Sequence, residues 1–145
     1  MVKGVNAVGK GSRIADFMLV NTVTRSALVV EIKTPAARLT GKRYRGSGGA
    51  EVFLPHKDLL GAVTQIQAQM VSAQIHLPTL LAQTPGAEPL DTGVVRGAVI
   101  VGTAGSLGDE EKASYLRYRD GLTTGIRLFS ARPEMAWVRQ RFRPA

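Results

Sequence analysis

Residues 27–33, ALVVEIK, are an apolar, β-branched run that ends in Glu-Ile-Lys and is broken by Thr34-Pro35. β-Branched residues favour the pleated strand, and the residue before a proline is pushed out of the helical region. The run therefore reads as a strand with a fixed end. Side chains alternate along a strand, so Glu31 and Lys33 share one face while Val30 and Ile32 share the other. Two opposite charges thus sit at the end of an otherwise buried element.

The segment before it, residues 14–20 (IADFMLV), reads as another strand, and NTVTRS between them as a turn. If this hairpin folds symmetrically about Val23 and Thr24, Asp16 falls opposite Glu31. A register shift of two leaves Asp16 on the same face. The expected cluster is Asp16, Glu31 and Lys33 at one end of a two-stranded ribbon. Facing carboxylates repel unless something neutralises them. A hard divalent ion does so through carboxylate oxygens, and it also makes water more acidic. A neighbouring lysine then orients that water or stabilises charge on a phosphate. A surface salt bridge at a frayed strand end is the simpler reading of an isolated E-x-K. An upstream Asp on a paired strand, together with a basic chain, favours the metal site.

The basic excess is large: 19 Lys and Arg against 11 Asp and Glu, a formal net charge of +8 over 145 residues. Such a field favours polyanions, nucleic acid foremost, although small basic domains also bind acidic proteins or ribosomes. The length suits a single domain over 1–145 with its own core. Cysteine is absent, which removes disulfides and thiolate metal sites. No apolar run reaches the ~18 residues of a membrane span, and no secretory leader follows the basic start. The expectation is a cytoplasmic protein with no membrane partner.

Residues 1–13 read as a loop or a truncated start, and residues 40–51 (TGKRYRGSGGAE) as a mobile basic loop. In the latter, Lys42, Arg43 and Arg45 surround Tyr44, a composition that grips phosphates and stacks bases. Residues 58–76 are the clearest helix: Leu59, Ala62, Val63, Ile66, Met70 and Ala73 form one apolar face, with Asp58 as its N-cap. Gln65 and Gln69 are one turn apart at the edge of that stripe. Gln67 and Gln74 read as a polar flank.

Residues 97–102 read as a short buried strand. Residues 106–121 carry a second helix, with acids in its first turn and arginines in its last. A final strand at 125–130 and a short helix at 133–142 follow, the latter with Arg139, Arg141 and Arg143 near Trp137 and Phe142. Glycines at 102, 105 and 108 do not match a dinucleotide or P-loop spacing. Ser106 and Asp109 fit a capping box better. His56 and His76 lack metal-ligand spacing. Strands and helices in this order define an α/β arrangement, a sheet with helices packed on it.

The order of ADFMLV, ALVVEIKTP, KDLLGAVTQIQAQM, RGAVIVGTAGSL and a closing short strand resembles the D…(D/E)xK core of restriction-endonuclease-like nucleases. Within them it is most similar to the C-terminal nuclease domain of Shedu anti-phage proteins, over residues 14–137. The resemblance implies a restriction-endonuclease-like central mixed β-sheet flanked by α-helices. It implies Asp16 and Glu31 as ligands of Mg²⁺ or Mn²⁺, Lys33 as the catalytic lysine, and Gln65 as the helix glutamine. The implied activity is cleavage or nicking of DNA in phage defence. The implied partners are DNA and copies of the same chain, and a regulatory domain in the intact protein is compatible with it. Three departures stand out: Ala15 replaces the usual proline, Gln69 stands where related helices often carry an aromatic, and residues 1–15 hold no acid. A repair or junction-resolving nuclease of the same fold, and a non-catalytic DNA-binding module, are the alternatives.

Overall fold

The computed structural model describes residues 2–4, 17–87, 89–91, 93–122 and 125–130. Seven strands and two α-helices are present among them: β1 (Val2–Gly4), β2 (Phe17–Asn21), β3 (Ser26–Ile32), β4 (Thr40–Arg45), β5 (Val52–Pro55), α1 (Lys57–Gln83), β6 (Val95–Ile100), α2 (Asp109–Asp120) and β7 (Ile126–Phe129). Five strands form one mixed sheet in the order β1-β2-β3-β6-β7. β1 pairs antiparallel with β2 and β2 with β3, whereas β6 and β7 continue parallel to β3. Parallel neighbours need long crossovers. Here the β4–β5 hairpin and α1 connect β3 to β6, and α2 connects β6 to β7. This is the mixed α/β architecture expected from the element order.

The hairpin register follows the symmetric reading. Phe17 faces Val30, Leu19 faces Leu28 and Asn21 faces Ser26. The turn is closed by Asn21, whose Oδ1 accepts from Val23 N at 3.0 Å and Thr24 N at 3.1 Å. Asn side chains favour such turns because they mimic a backbone acceptor.

Alternation along β3 puts Ala27, Val29 and Glu31 on one face, aligned with Val95, Gly97 and Val99 of β6. Ile126 and Leu128 of β7 continue that face. α1 covers it: Leu59, Ala62, Val63 and Ile66 are buried in the same cluster, with Met70 and Ala73 packed at its margin. The stripe expected from the sequence is the one that packs. Removing each such side chain from water contributes about 1.5–3 kcal/mol.

Several expectations need correction. Residues 2–4, expected in a loop, form β1 on the edge of the sheet. Residues 40–51, also expected as a loop, form β4 and the turn that leads into β5. The turn uses Gly46, Gly48 and Gly49 at φ 94°, 62° and 89°. Its basic strand shows no apolar alternation, because what holds the hairpin is α2. Phe53 N donates to Ser114 Oγ at 3.0 Å, and Thr40 Oγ1 donates to Glu111 Oε1 at 3.0 Å.

α1 runs to Gln83, past Pro78. Its N-cap is His56, not Asp58; the imidazole Nδ1 accepts from Asp58 N at 3.2 Å, and Asp58 sits in the first turn, where the helix dipole favours an acid. The N-cap of α2 is Gly108, whose N–H donates to Glu111 Oε2 at 3.1 Å. Ser106 instead lies in a single 3₁₀ turn and bonds Thr103 O. The expected helix at 133–142, with Arg139, Arg141 and Arg143, lies outside the described residues.

Candidate active site at the end of β3

β3 delivers Glu31 to the point where α1 crosses the sheet. The carboxylate is only 3% exposed, with Val99 beside it on β6. A charge buried this deeply must be paired and hydrogen-bonded. Both requirements are met. Lys33 Nζ lies 2.6 Å from Glu31 Oε1, and Gln69 Nε2 donates to Glu31 Oε2 at 3.2 Å. Lys33 Nζ also donates to Gln65 Oε1 at 2.8 Å. Two residues from one strand and two from one helix therefore form a single polar cluster.

The local sequence accounts for this convergence. Glu31 and Lys33 share a strand face by period two. Gln65 and Gln69 share a helix face by spacing of four. Lys33 N donates to Ile100 O at 2.8 Å, so the ladder with β6 fixes the lysine backbone just beyond the last strand residue. Gly97 allows the helix to approach: a Cβ there would lie 2.7 Å from Met70 Sδ and 2.8 Å from Ile66 Cγ1.

Of the expected site residues, Glu31, Lys33 and Gln65 are brought together. Asp16 lies outside the described residues. Lys42, Arg43, Tyr44 and Arg45 lie on β4 instead, with exposed side chains. Arg43 is engaged there, its Nη1 lying 2.8 Å from Glu51 Oε1. Gln67, Gln74 and His76 are exposed, and His56 has a capping role.

Gln69 is the residue the sequence reading passed over. It is 7% exposed, and its Oε1 has no hydrogen-bond partner. The orientation of its amide follows from chemistry, since only the NH₂ end can face a carboxylate. The available signal was a polar side chain three residues after Ile66, inside the apolar stripe. Gln69→Leu keeps the volume but leaves one oxygen of a buried carboxylate without its donor. Expected is a loss of about 1–3 kcal/mol of stability, read as a lower urea midpoint at unchanged slope.

Gln65 and Lys33 open onto a cleft of about 460 Å³, between residues 34–37 and the first turns of α1. Buried charge, an ammonium with solvent access and an adjoining cleft are the parts of a catalytic or binding site on an α/β sheet. The family model for the C-terminal region of the Shedu protein SduA matches residues 2–124, and the chain belongs to that family. It is also 35% identical over 74 residues to the Shedu protein SduA of Bacillus cereus (strain B4264). That match spans 50% of this chain and 18% of the relative. No helix among the described residues is long and apolar enough to cross a membrane.

Proposed function

We propose that the chain is a divalent-metal-dependent DNA endonuclease domain of the D…ExK type, acting in anti-phage defence in the cytoplasm. The observation that carries this reading is the junction of Glu31, Lys33 and Gln65 where β3 meets α1. The donor chemistry suits a hard ion: a carboxylate, with an amide oxygen from the otherwise unpartnered end of Gln69. Glu31 would hold Mg²⁺ or Mn²⁺, with Asp16 as the second carboxylate. Support for Asp16 is the register of its neighbour, since Phe17 faces Val30 and Glu31 follows. When bound, the ion supplies Lewis-acid stabilisation of a phosphoryl oxygen and a more acidic water.

The remaining steps belong to the chain's own groups. An ammonium has three N–H donors. Lys33 commits one to Glu31 and one to Gln65. The third is available to a non-bridging phosphate oxygen, whose charge rises in the transition state. Gln65 accepts from Lys33 through Oε1, leaving its NH₂ group to orient the phosphate. Glu31 keeps lone pairs on both oxygens after its two hydrogen bonds, because a carboxylate accepts at about four sites. Exposed Lys42, Tyr44 and Arg45 on β4 extend the contact along the DNA backbone.

One observation favours a second reading, a DNA-binding module without catalysis. Both oxygens of Glu31 are already engaged, and no group of three or more His, Cys, Asp or Glu gathers there among the described residues. Plasmid nicking separates the two. With Mg²⁺ the supercoiled form is expected to convert to nicked or linear DNA, and chelation with EDTA is expected to stop it. Equal DNA binding in both buffers with no nicking in either supports the module and rejects the nuclease.

A further inference from the structure

The cleft beside the cluster has a composition the catalytic set does not explain. Lys33, Thr34 and Gln65 line it together with Lys57, Asp58 and Gly61 of the first turns of α1. Lys57 is exposed, and no ion pair or hydrogen bond among the described residues takes up its ammonium. The Asp58 carboxylate, in the first turn of α1, reaches the backbone at Arg38 and the N-cap His56. Its Oδ2 accepts from Arg38 N at 3.1 Å and lies 3.1 Å from His56 Nδ1. Gly61 is the odd member. A glycine inside a helix costs about 1 kcal/mol relative to alanine. Packing does not require it, since a Cβ at Gly61 meets nothing within 4 Å. Its effect is to leave the cleft free of side chain at that one position.

We propose that this cleft binds the phosphate backbone of a nucleic-acid strand next to the cluster, with Lys57 as the anchoring cation and the bare surface at Gly61 as the strand's path. The inference rests on the nuclease reading for the identity of the strand, as the one passing Lys33. The chemistry fits. An unpaired ammonium and a helix surface left bare at Gly61 are what a flexible phosphodiester needs to lie close to a helix, and the chain's charge of +8 draws the polyanion in.

The test is binding of fluorescein-labelled duplex and single-stranded DNA by anisotropy, in EDTA, across a salt series. Lys57→Gln is expected to reduce the slope of log K against log salt by about 0.7–0.9, the signature of one lost phosphate contact. Gly61→Leu is expected to weaken binding about tenfold, the scale of one lost charge-assisted contact. A Cβ there meets nothing within 4 Å and glycine is the poorer helix former, so the variant's thermal melt should match or exceed that of the parent. Gly61→Ala is expected to bind nearly as the parent does. Parent-like slope in Lys57→Gln together with parent-like affinity in Gly61→Leu would overturn the cleft assignment. If metal-dependent nicking persists in those variants, the nuclease reading stands without it. A reduced slope and weakened binding in a chain that never nicks would keep the cleft and remove the nuclease.

Discussion

Lys33→Met is expected to lower the rate of metal-dependent nicking by about 10²–10³-fold, the usual cost of removing one preorganised donor to a developing anion, while DNA affinity falls by less than tenfold. Methionine retains most of the apolar stem and loses the charge. The substitution also acts on the fold, because Glu31 is 3% exposed and loses its cation. Removing one partner of a fully buried pair costs about 3–5 kcal/mol. The Lys33 side chain is 32% exposed, so water screens part of this and about 1–3 kcal/mol is expected. A second variant separates the two effects. Glu31→Gln/Lys33→Met carries no buried charge and is expected to recover most of the stability, read by urea unfolding, but none of the nicking. Nicking that survives in the folded double variant would remove both residues from the chemistry.

The sequence was most informative where local geometry and burial point the same way. The hairpin register could be read because the turn is short and the strands are apolar on the face α1 covers, so a one-residue slip would bury the wrong set. Lys33 follows from period two, whereas helical period sets Gln65 at the edge of the apolar stripe together with Gln69, and the family resemblance alone distinguishes Gln65. Helical period places Gln69 at the edge of the stripe and carries no sign that it is buried. Its burial depends on the carboxylate it meets, 38 positions earlier in the chain. The β4–β5 hairpin was missed for a related cause. Thr40–Arg45 has polar and basic residues on both faces, and its pairing is fixed by tertiary bonds from Glu111 and Ser114 on α2. Local propensity carries no trace of those partners. The N-cap of α1 moved from Asp58 to His56 because a histidine Nδ1 supplies the acceptor that an acid was expected to give.

Gly102→Ala is expected to destabilise the fold by about 3 kcal/mol and to distort the cleft as well. Gly102 follows β6 at φ 59°, where an L-residue with a Cβ costs about 1–2 kcal/mol. Steric overlap is then added, typically about 1–3 kcal/mol. A Cβ at this position would sit 2.4 Å from Ala37 O and 2.9 Å from Leu39 Cδ2. The first of these is backbone and cannot rotate away, and Leu39 is 2% exposed in the core. Gly102 N also donates to Thr34 O at 3.3 Å, so the same residue ties the end of β6 to the turn that lines the cleft. Relief of the overlap is expected to displace the turn at residues 34–37, which lines the cleft beside Lys33 and Gln65. The expected result is therefore a lower thermal midpoint together with a nicking rate that stays depressed at temperatures where the variant remains folded. Gly61→Ala, in the same cleft but at an open position, controls for the added methyl group and is expected to raise the midpoint. A Gly102→Ala protein as stable and as active as the parent would show that the turn is free to move, and that the cleft wall does not set the position of the lysine.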